Sequence, residues 1–497
     1  MARRHLLVFL PGIGGSVLAT HPRGAHPPET LWTARIPNIA STLRSPDRLS
    51  VEESPDLVPT GLVRSTTVLP GLSILPGYER VAARLAALPG AVPDVCRPDR
   101  PRVPGANVLM FPYDFRRGVA HAAVRLRDEI DARLHGLSRS ERAGRVIVVG
   151  HSMGGLVARH WLGPLGGAPD CRALITLGTP HRGAPKALDV LVNGARCAGL
   201  NFRGTTEVIR GWQGVADLLP RYRMILDTTT GRPLYPHELA GLAPRRPGPP
   251  PAPVPGLGLA ASARDMHRDI ETGWARLGAE GQPPRPEVVA RIGFGHATAS
   301  GAVWDGRELK VDDVHPYWLP APGWEEDRGD HTVPAVSALP LELSGHSPQG
   351  LRVSQRHGPM GEAKFITDLV EAYERYGSTE SVQGTERPDA LGLDLPDAHA
   401  VGTTLRVTVR LPDGARDRVL ADPGLLPAAW IWIAPEPEPG EPAVPTDPVQ
   451  LTWDAGTGTY VHDWKPGTPG YYGVRIRARA VPGAGDLSVH DVLAVVE

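Results

Sequence analysis

Residues 145–159, Arg-Val-Ile-Val-Val-Gly-His-Ser-Met-Gly-Gly-Leu-Val-Ala-Arg, decide the fold of this chain. The β-branched run at 146–149 predicts a buried strand, and the apolar spacing that begins at Leu156 predicts a helix. Between them, residues 150–154 have the form G-x-S-x-G, which between a strand and a helix is typical of a nucleophile elbow. We therefore predict that Ser152 is a nucleophile held at the apex of a tight turn.

The two glycines of this motif are expected to make the turn possible. A nucleophile elbow leaves no room for a Cβ at the flanking positions, which Gly150 and Gly154 satisfy. The Ser152 Oγ would then stand above the carboxyl edge of a sheet. The backbone N–H of Met153 would point from the start of the helix toward a developing oxyanion.

A glycine-rich loop near the N-terminus is the expected source of a second oxyanion donor. Residues 11–16, Pro-Gly-Ile-Gly-Gly-Ser, follow the apolar run at 6–10. The loop lacks the G-x-x-x-x-G-K-[ST] pattern of a phosphate-binding loop. A backbone N–H from a loop after an early strand completes the oxyanion hole in sites of this type, and we expect Ile13 to provide it.

Buried strands and amphipathic helices alternate along the first 378 residues, which predicts an α/β fold with a doubly wound, mostly parallel sheet. Together with the elbow, this pattern indicates an α/β-hydrolase fold. In the helix predicted at 120–134, Val124, Ile130 and Leu134 are expected to face the core. The predicted strands are residues 6–10, 108–111, 146–149, 173–177, 288–294 and 351–355. Further helices are predicted at 78–88 and 363–376.

Three other regions complete the expected organisation. From about 184 to 285 the periodicity is lost, and residues 244–255 are proline-rich, so we predict a cap insertion in a catalytic domain spanning 1–378. Residues 379–399 are predicted to be a linker. Short alternating segments in 400–497 predict a small all-β sandwich, immunoglobulin-like and accessory in role. We expect its removal to leave the chemistry intact.

Composition excludes several classes of protein. The 497 residues carry a formal net charge of −1, which gives no electrostatic reason to expect a nucleic-acid partner. Three cysteines without C-x-x-C spacing favour free buried thiols over a disulfide framework or a metal site. No apolar run approaches the roughly 20 residues of a membrane span, and the N-terminal run is interpreted as a strand rather than a signal peptide. We therefore expect a cytoplasmic protein.

A serine nucleophile needs a base and an acid that orients it, and in this fold they follow in the order Ser, acid, His. His357 lies between the last predicted strand and the last helix, so we predict it to be the base, with His346 as the main alternative. Asp330, in a turn with Gly329 before it, is the predicted acid. The acidic residues at 325–327 (Glu325, Glu326 and Asp327) are alternatives, and His151 and His331 are expected to be surroundings of the site. No metal and no cofactor is needed.

The combined motifs resemble the lecithin:cholesterol acyltransferase family, which includes lysosomal phospholipase A2. The matching stretches are Pro11-Gly-Ile-Gly-Gly-Ser16, Pro112-Tyr-Asp-Phe-Arg116, Gly150-His-Ser-Met-Gly-Gly155, Leu177-Gly-Thr-Pro-His181, Gly329-Asp-His-Thr-Val-Pro334 and His357. The resemblance implies acyl transfer from a lipid ester through a serine acyl-enzyme, with Ser152, Asp330 and His357 as the triad. It covers the large domain only.

Three functions compete at this point. The first is a serine hydrolase that cleaves carboxyl esters, with lipid or phospholipid acyl esters as expected substrates and transient contact with a membrane or lipid surface. The second is an O-acyltransferase that passes the acyl group to an alcohol. The third is a catalytically silent binding protein that acts through a partner of its β-sandwich. Amide substrates also stay open, because a triad does not distinguish amides from esters.

Overall fold

The computed structural model describes residues 4–21, 28–33, 45–64, 67–69, 72–197, 200–201, 203–239, 256–312, 328–343, 352–376, 389–437 and 446–496. The proline-rich stretch at 244–255, the alternative acids at 325–327 and the alternative base His346 lie outside the described residues.

The centre of the large domain is a parallel sheet of seven described strands. They are β1 (Leu6–Leu10), β2 (Pro93–Val95), β3 (Val108–Met110), β4 (Val146–His151), β5 (Cys171–Leu177), β6 (Glu287–Gly293) and β7 (Arg352–Val353). Their order across the sheet is β7-β6-β5-β4-β1-β3-β2, and each neighbouring pair is parallel. The predicted α/β-hydrolase fold is confirmed.

Both faces of this sheet are buried, which explains why its central strands are apolar along most of their length. Along β1, the side chains of Val8 and Leu10 enter one core, and those of Leu7 and Phe9 enter the other. The first face packs against the helices Val119–Arg133 and Met153–Leu162, and the second against Glu79–Ala86 and Phe365–Tyr376.

In the central sheet and the helices that flank it, the predicted elements agree with these bounds apart from three differences. The edge strand β2 was not predicted, because Pro93 and Asp94 are unusual in strands. The last predicted strand, 351–355, is reduced to β7 among the described residues. In the helix Val119–Arg133, Ile130 is buried as expected, but Val124 is 39% exposed and does not face the core.

The region from 184 to 285 is mostly helical where it is described, although its sequence shows no sustained periodicity. Its longest helix, Ala260–Arg276, packs against Met153–Leu162, with Gly273 beside Gly163. The other helices are Pro185–Asn193, Arg203–Arg210, Gln213–Ala216 and Pro236–Leu239. A small sheet joins Arg232–Leu234, Ile225–Asp227, Gly301–Trp304 and Leu309–Asp312, and its last two strands form a hairpin that turns at Asp305-Gly306.

The C-terminal region forms two sheets around one apolar core. One sheet has the order Gly392–Asp394, Leu405–Arg410, Thr459–Trp464 and Thr452–Asp454. The other has the order Ala398–Ala400, Gly485–Val496, Gly470–Val481, Ala428–Pro435 and Val449–Gln450. We call residues 389–437 and 446–496 the C-terminal β module.

The module begins earlier than predicted. Residues 392–394 and 398–400, expected in the linker, are strands paired with Leu405–Arg410 and Gly485–Val496. Leu391, Leu393 and Leu395 are buried in the core of the module. The described part of the predicted linker therefore belongs to the β sheets. A helix within the module, Asp413–Ala421, was not predicted either.

The remaining elements are short. A three-stranded sheet joins Thr30–Trp32, Ser16–Ala19 and Val58–Leu62, and a hairpin joins Thr67–Leu69 to Ser73–Leu75. Single turns of helix lie at Arg139–Arg142 and Ala335–Ala338. Of the helices that the structure describes, none has the length and apolarity needed to cross a membrane.

Candidate active site

The predicted elbow lies where the strand order reverses, the position at which open α/β sheets bind their ligands. β4 ends at His151, the next helix begins at Met153, and Ser152 lies alone between them with φ 52° and ψ −126°. Few residues other than glycine adopt such a conformation. The turn therefore presents Ser152 in a strained backbone, as the G-x-S-x-G motif predicts.

The flanking glycines are required by close packing. A Cβ at Gly150 would lie 2.6 Å from the Cα and N of Gly155, and one at Gly154 would lie 2.6 Å from the carbonyl oxygen of Leu10. These neighbours are backbone atoms, which cannot move aside as a flexible side chain can. Both positions thus exclude any residue larger than glycine, which agrees with the sequence-based expectation.

The structure brings the three predicted catalytic side chains together. The Nε2 of His357 lies 2.9 Å from Ser152 Oγ, and its Nδ1 lies 2.7 Å from Asp330 Oδ2. A carboxylate only accepts hydrogen bonds, so the His357 Nδ1 carries the proton and donates it. Nε2 is then free to accept from the Ser152 hydroxyl. This tautomer is the one that a general base requires.

Asp330 is held as a carboxylate by its surroundings. Its Oδ1 accepts hydrogen bonds from the backbone N–H groups of Thr332 and Val333 at 2.9 and 2.7 Å. Burial raises the pKa of Asp330. The positive charge of a protonated His357, the hydrogen bond from its ring and these two N–H groups lower the pKa by more, so it lies below its usual value. The backbone N–H of His357 also donates to the carbonyl oxygen of Asp330 at 2.9 Å.

The glycine-rich loop approaches the nucleophile because β1 and β4 are neighbours. Leu10 pairs with Gly150, so the segments that follow both strands meet at the same edge of the sheet. A Cβ added to Gly12 would lie 2.9 Å from Ser152 Cβ. Ile13, one residue later, and Met153, at the start of the helix, are both buried. The two predicted oxyanion donors therefore come from segments that lie beside Ser152.

A chain of hydrogen bonds, which sequence reasoning did not find, joins this loop to the base. The hydroxyl oxygen of Tyr78 accepts from Gly12 N–H at 2.8 Å and lies 2.7 Å from His151 Nδ1. The His151 Nε2 lies 2.8 Å from the carbonyl oxygen of His357. That oxygen only accepts, so His151 carries its proton on Nε2, and Tyr78 donates its hydroxyl proton to Nδ1.

His151 is neutral in this arrangement. Burial, followed by the charge of His357, lowers its pKa to about 3, so it connects backbone segments rather than exchanging protons. The only sequence signals were His151 inside the elbow motif and Tyr78 at the start of a predicted helix. Neither signal indicates that two residues 73 positions apart are in contact.

Other candidate groups lie apart from the triad. Cys96 and Cys171 are free and buried, and burial raises the pKa of both thiols. Among the described residues, no group of three or more His, Cys, Asp and Glu side chains could hold a metal ion.

Comparison with known proteins places the elbow in a recognised type of domain. Residues 125–194 match the family described as PGAP1-like alpha/beta domain. The matched segment contains Ser152 but ends before Asp330 and His357. No curated protein matches the chain.

Solved structures give distant similarities. The chain is similar to the Tle4-Tli4 complex at 15% identity over 69% of this chain and 90% of that one, with a TM-score of 0.44. It is similar to the lin2722 product of Listeria innocua at 12% identity over 76% of this chain and 96% of that one, with a TM-score of 0.28. The similarity to the Bacillus licheniformis lipase BlEst2 in propeptide form covers 98% of this chain and 93% of that one, at 9% identity and a TM-score of 0.26. The segment that carries the elbow is similar to a PGAP1-like alpha/beta domain, and the order of the central sheet gives the large domain an α/β-hydrolase fold.

Proposed function

We propose that this protein is a serine hydrolase that cleaves carboxyl esters through an acyl-enzyme on Ser152. The observation that carries the proposal is the continuous hydrogen-bonded line from Ser152 Oγ through the His357 ring to Asp330 Oδ2. Its two distances lie in the range expected for a nucleophile, its base and the group that orients the base. The strained backbone of Ser152 supports the same role, because backbone strain concentrates at functional sites.

The first half of the reaction forms the acyl-enzyme. Ser152 Oγ attacks the carbonyl carbon of the ester while its proton passes to His357 Nε2. The resulting oxyanion is stabilised by the N–H groups of Ile13 and Met153; in known serine hydrolases one such donor contributes about 3–4 kcal/mol. His357 then gives its proton to the leaving alkoxide, and an alcohol departs.

The second half releases the acid. His357 Nε2 accepts a proton from water while the water oxygen attacks the acyl carbon. The second tetrahedral intermediate collapses, the proton returns to Ser152 Oγ, and a carboxylic acid is released. Asp330 stabilises the imidazolium in both halves without itself becoming protonated. The chain's own residues are sufficient for every step.

Lipid or phospholipid acyl esters are the substrates we propose. This narrower part rests on the resemblance of the loop, elbow and acid-turn motifs to the lecithin:cholesterol acyltransferase family. The same acyl-enzyme could pass its acyl group to an alcohol, because His357 can deprotonate either acceptor. We propose hydrolysis as the main outcome and transfer as a side reaction.

The test combines covalent labelling with product analysis. A fluorophosphonate probe should add one label to the wild-type protein at Ser152, detected by intact mass and peptide mapping. Ser152→Ala should abolish labelling and lower ester turnover by about 10⁴- to 10⁶-fold. A panel of esters of graded acyl length then identifies the preferred substrate. An alanine variant with a matched circular dichroism spectrum that retains more than a few per cent of activity would contradict the proposal.

Product partition separates hydrolysis from transfer. The wild-type protein is incubated with a lipid ester in vesicles that also contain a long-chain alcohol. Free fatty acid should exceed new ester. Predominant new ester in the presence of abundant water would show an acyltransferase that uses the same nucleophile.

A further inference from the structure

The acid loop, residues 328–334, and the base loop, residues 354–357, contact the C-terminal β module through polar groups that are buried or half-buried. These groups belong to the large domain on one side and to the module on the other. The large-domain members are Lys186, His296, His331 and Arg356. The module members are Leu393, Leu395, Asp397 and Asp491. We call this set the module interface.

The base loop is tied to the module by the residue immediately before His357. The Arg356 side chain is 1% exposed, and its Nη1 lies 2.7 Å from Asp491 Oδ2. Its Nη2 donates to the carbonyl oxygen of Leu395 at 2.9 Å. Breaking a buried pair is costly because it leaves a buried charge without its partner. Arg356 therefore fixes the base loop to two separate segments of the module.

The acid loop is tied to the module by the residue immediately after Asp330. His331 Nε2 lies 3.5 Å from Asp397 Oδ1, and Lys186 Nζ lies 3.0 Å from Asp397 Oδ2. Burial, followed by the charges of Arg356 and Lys186, lowers the pKa of His331 to about 4. His331 is thus neutral near pH 7, and its contact with Asp397 is polar rather than an ion pair.

His296 links both loops to the module at once. Its backbone N–H donates to the carbonyl oxygen of Gly329, in the acid loop, at 3.1 Å. Its Nε2 donates to the carbonyl oxygen of Ser354, in the base loop, at 3.2 Å. Its Nδ1 accepts from the backbone N–H of Leu393 at 3.2 Å. His296 itself is fully buried, so its ring is held in place between the two loops and the module.

Strain in the acid loop explains why such support is needed. His331 has a φ of 82° and Arg328 a φ of 49°, so Asp330 lies between two residues in an unfavourable backbone conformation. Such a conformation persists only when the surrounding structure holds it. The contacts of His331 with Asp397 and of His296 with Gly329 and Leu393 supply that constraint.

From these contacts we infer that the C-terminal β module positions the catalytic acid and base, with Asp491 acting through Arg356 and Asp397 acting through His331. The inference rests on the proposed function, because it assigns a role to the module in holding Asp330 and His357. It replaces the expectation that residues from about 400 onward are dispensable for the chemistry. The module is part of the active-site support rather than a separable accessory.

The test compares two aspartates of the module in the full-length chain. Asp491→Asn removes the charge beside Arg356, and Asp491→Glu restores it. Asp463→Asn is the matched control, because Asp463 pairs with Arg406 at 2.8 Å on the exposed surface of the same module. We measure kcat and KM on a soluble ester, the rate of fluorophosphonate labelling, and the circular dichroism spectrum.

Misplacement of a catalytic group by about 1 Å can cost 10²-fold in rate. Asp491→Asn should therefore lower kcat and the labelling rate by roughly 10- to 100-fold, with KM within twofold. Asp491→Glu should recover most of the loss, and Asp463→Asn should match the wild type. A normal kcat in Asp491→Asn would overturn the inference.

The remaining outcomes separate a failure of the module's role from a failure of the proposed function. If Asp491→Asn does not fold, Asp397→Asn is measured in its place. If neither variant folds, as judged by circular dichroism, the positioning role is overturned in favour of a purely structural one. If the wild-type protein neither labels nor turns over esters, the proposed function fails. If the wild-type protein reacts with the probe and Asp491→Asn is equally active, only the role of the module is refuted.

Discussion

Four residues other than glycine have a positive φ in the part of the chain that the structure describes, and three of them lie in the candidate active site. Ser152 is the predicted nucleophile, and Arg328 and His331 lie within two residues of Asp330. Residues in such conformations cost on the order of 1–3 kcal/mol each. The cost concentrates at the nucleophile and the acid, where a fixed geometry is needed for proton transfer.

Replacing the acid tests its role in selecting the tautomer of the base. In Asp330→Asn, the N–H groups of Thr332 and Val333 should hold the amide oxygen in the place of Oδ1. The amide nitrogen then faces His357 Nδ1 and forces the proton onto Nε2. Turnover should fall by about 10⁴-fold, as for the equivalent change in other triads, and steady-state kinetics measure it. Asp327→Asn is the control and should be nearly silent; the opposite pattern would move the acid to Asp327.

Removing one hydroxyl tests the hydrogen-bonded chain between the glycine-rich loop and the base. Tyr78→Phe leaves the Gly12 N–H and His151 Nδ1 buried without a partner, and each loss costs about 1–3 kcal/mol. We expect kcat to fall roughly tenfold with little change in KM, because a shift of the loop affects transition-state stabilisation. Chemical denaturation and steady-state kinetics measure the two effects.

Tyr222→Phe is the matched control for this change. Tyr222 is also buried and donates its hydroxyl to the carbonyl oxygen of Ser300 at 3.0 Å. It leaves one buried acceptor unpaired, so it should lower stability by about 1–3 kcal/mol and leave kcat unchanged. Equal losses of kcat in both variants would show that Tyr78 acts only through stability.

At the scale of elements, the predictable parts are those in which a repeated pattern has a direct physical cause. β1, β4 and β5 are buried on both faces, so their nearly continuous runs of apolar residues identify them. The helix Ala260–Arg276 was missed although its buried positions, among them Ala263, Met266, Ile270 and Trp274, have helical spacing. Small, polar and charged residues dominate this helix and obscured the pattern.

The active site shows the same division. The chain order of Ser152, Asp330 and His357 follows from the topology of the fold, so position along the sequence was enough to select them. The contacts of Tyr78, Asp397 and Asp491 connect segments far apart in the chain and leave no periodic signal. The start of the C-terminal β module was also predicted too late in the sequence, because short strands carry too few residues for an alternating pattern to show. Its first two strands are only three residues long.

A close helix crossing supports the helix that follows Ser152. A Cβ at Gly273 would lie 2.7 Å from backbone atoms of Gly163 and Pro164, so Gly273→Val should push the two helices apart. Overpacking of this kind costs about 1–3 kcal/mol, to be measured as a loss in the free energy of unfolding. Gly258→Val is the control, because no atom of the described residues lies within 4 Å of the added Cβ. Equal stability of the two variants would contradict a tight crossing.

At the scale of the whole molecule, charge is nearly balanced, with a formal net charge of −1, but several buried groups have shifted pKa values. Burial is the main cause of the low pKa of four histidines. These are His151 and His296, with a pKa of about 3, and His267 and His331, with a pKa of about 4. Burial also raises the pKa of Asp217 to about 6 and that of Glu362 to about 7.

These shifts predict a loss of stability in mild acid. A histidine whose folded pKa is depressed contributes stability that is present above its unfolded pKa of about 6.5 and is lost as pH falls toward 4. Asp217 and Glu362 act in the opposite direction, because their raised pKa values favour the fold below about pH 4 and lose that contribution as pH rises through 6 to 7. Near pH 5 the four histidines outweigh the two carboxyl groups by about two protons, or roughly 2.7 kcal/mol per pH unit.

The free energy of unfolding should therefore fall by on the order of 3 kcal/mol between pH 6.5 and pH 5, measured by urea titration at pH 7.5, 6.5 and 5.0. His267→Gln provides the internal check. The Gln amide can still donate to the Asp217 carbonyl oxygen that His267 Nε2 contacts at 2.8 Å, but it cannot titrate. The slope of the unfolding free energy against pH should therefore decrease by the contribution of about one proton. Glu362→Gln should make the acid-side slope steeper, because it removes an opposing group. A flat profile from pH 7.5 to 5, or equal slopes in all three proteins, would show that these histidines titrate near their ordinary pKa in the folded chain.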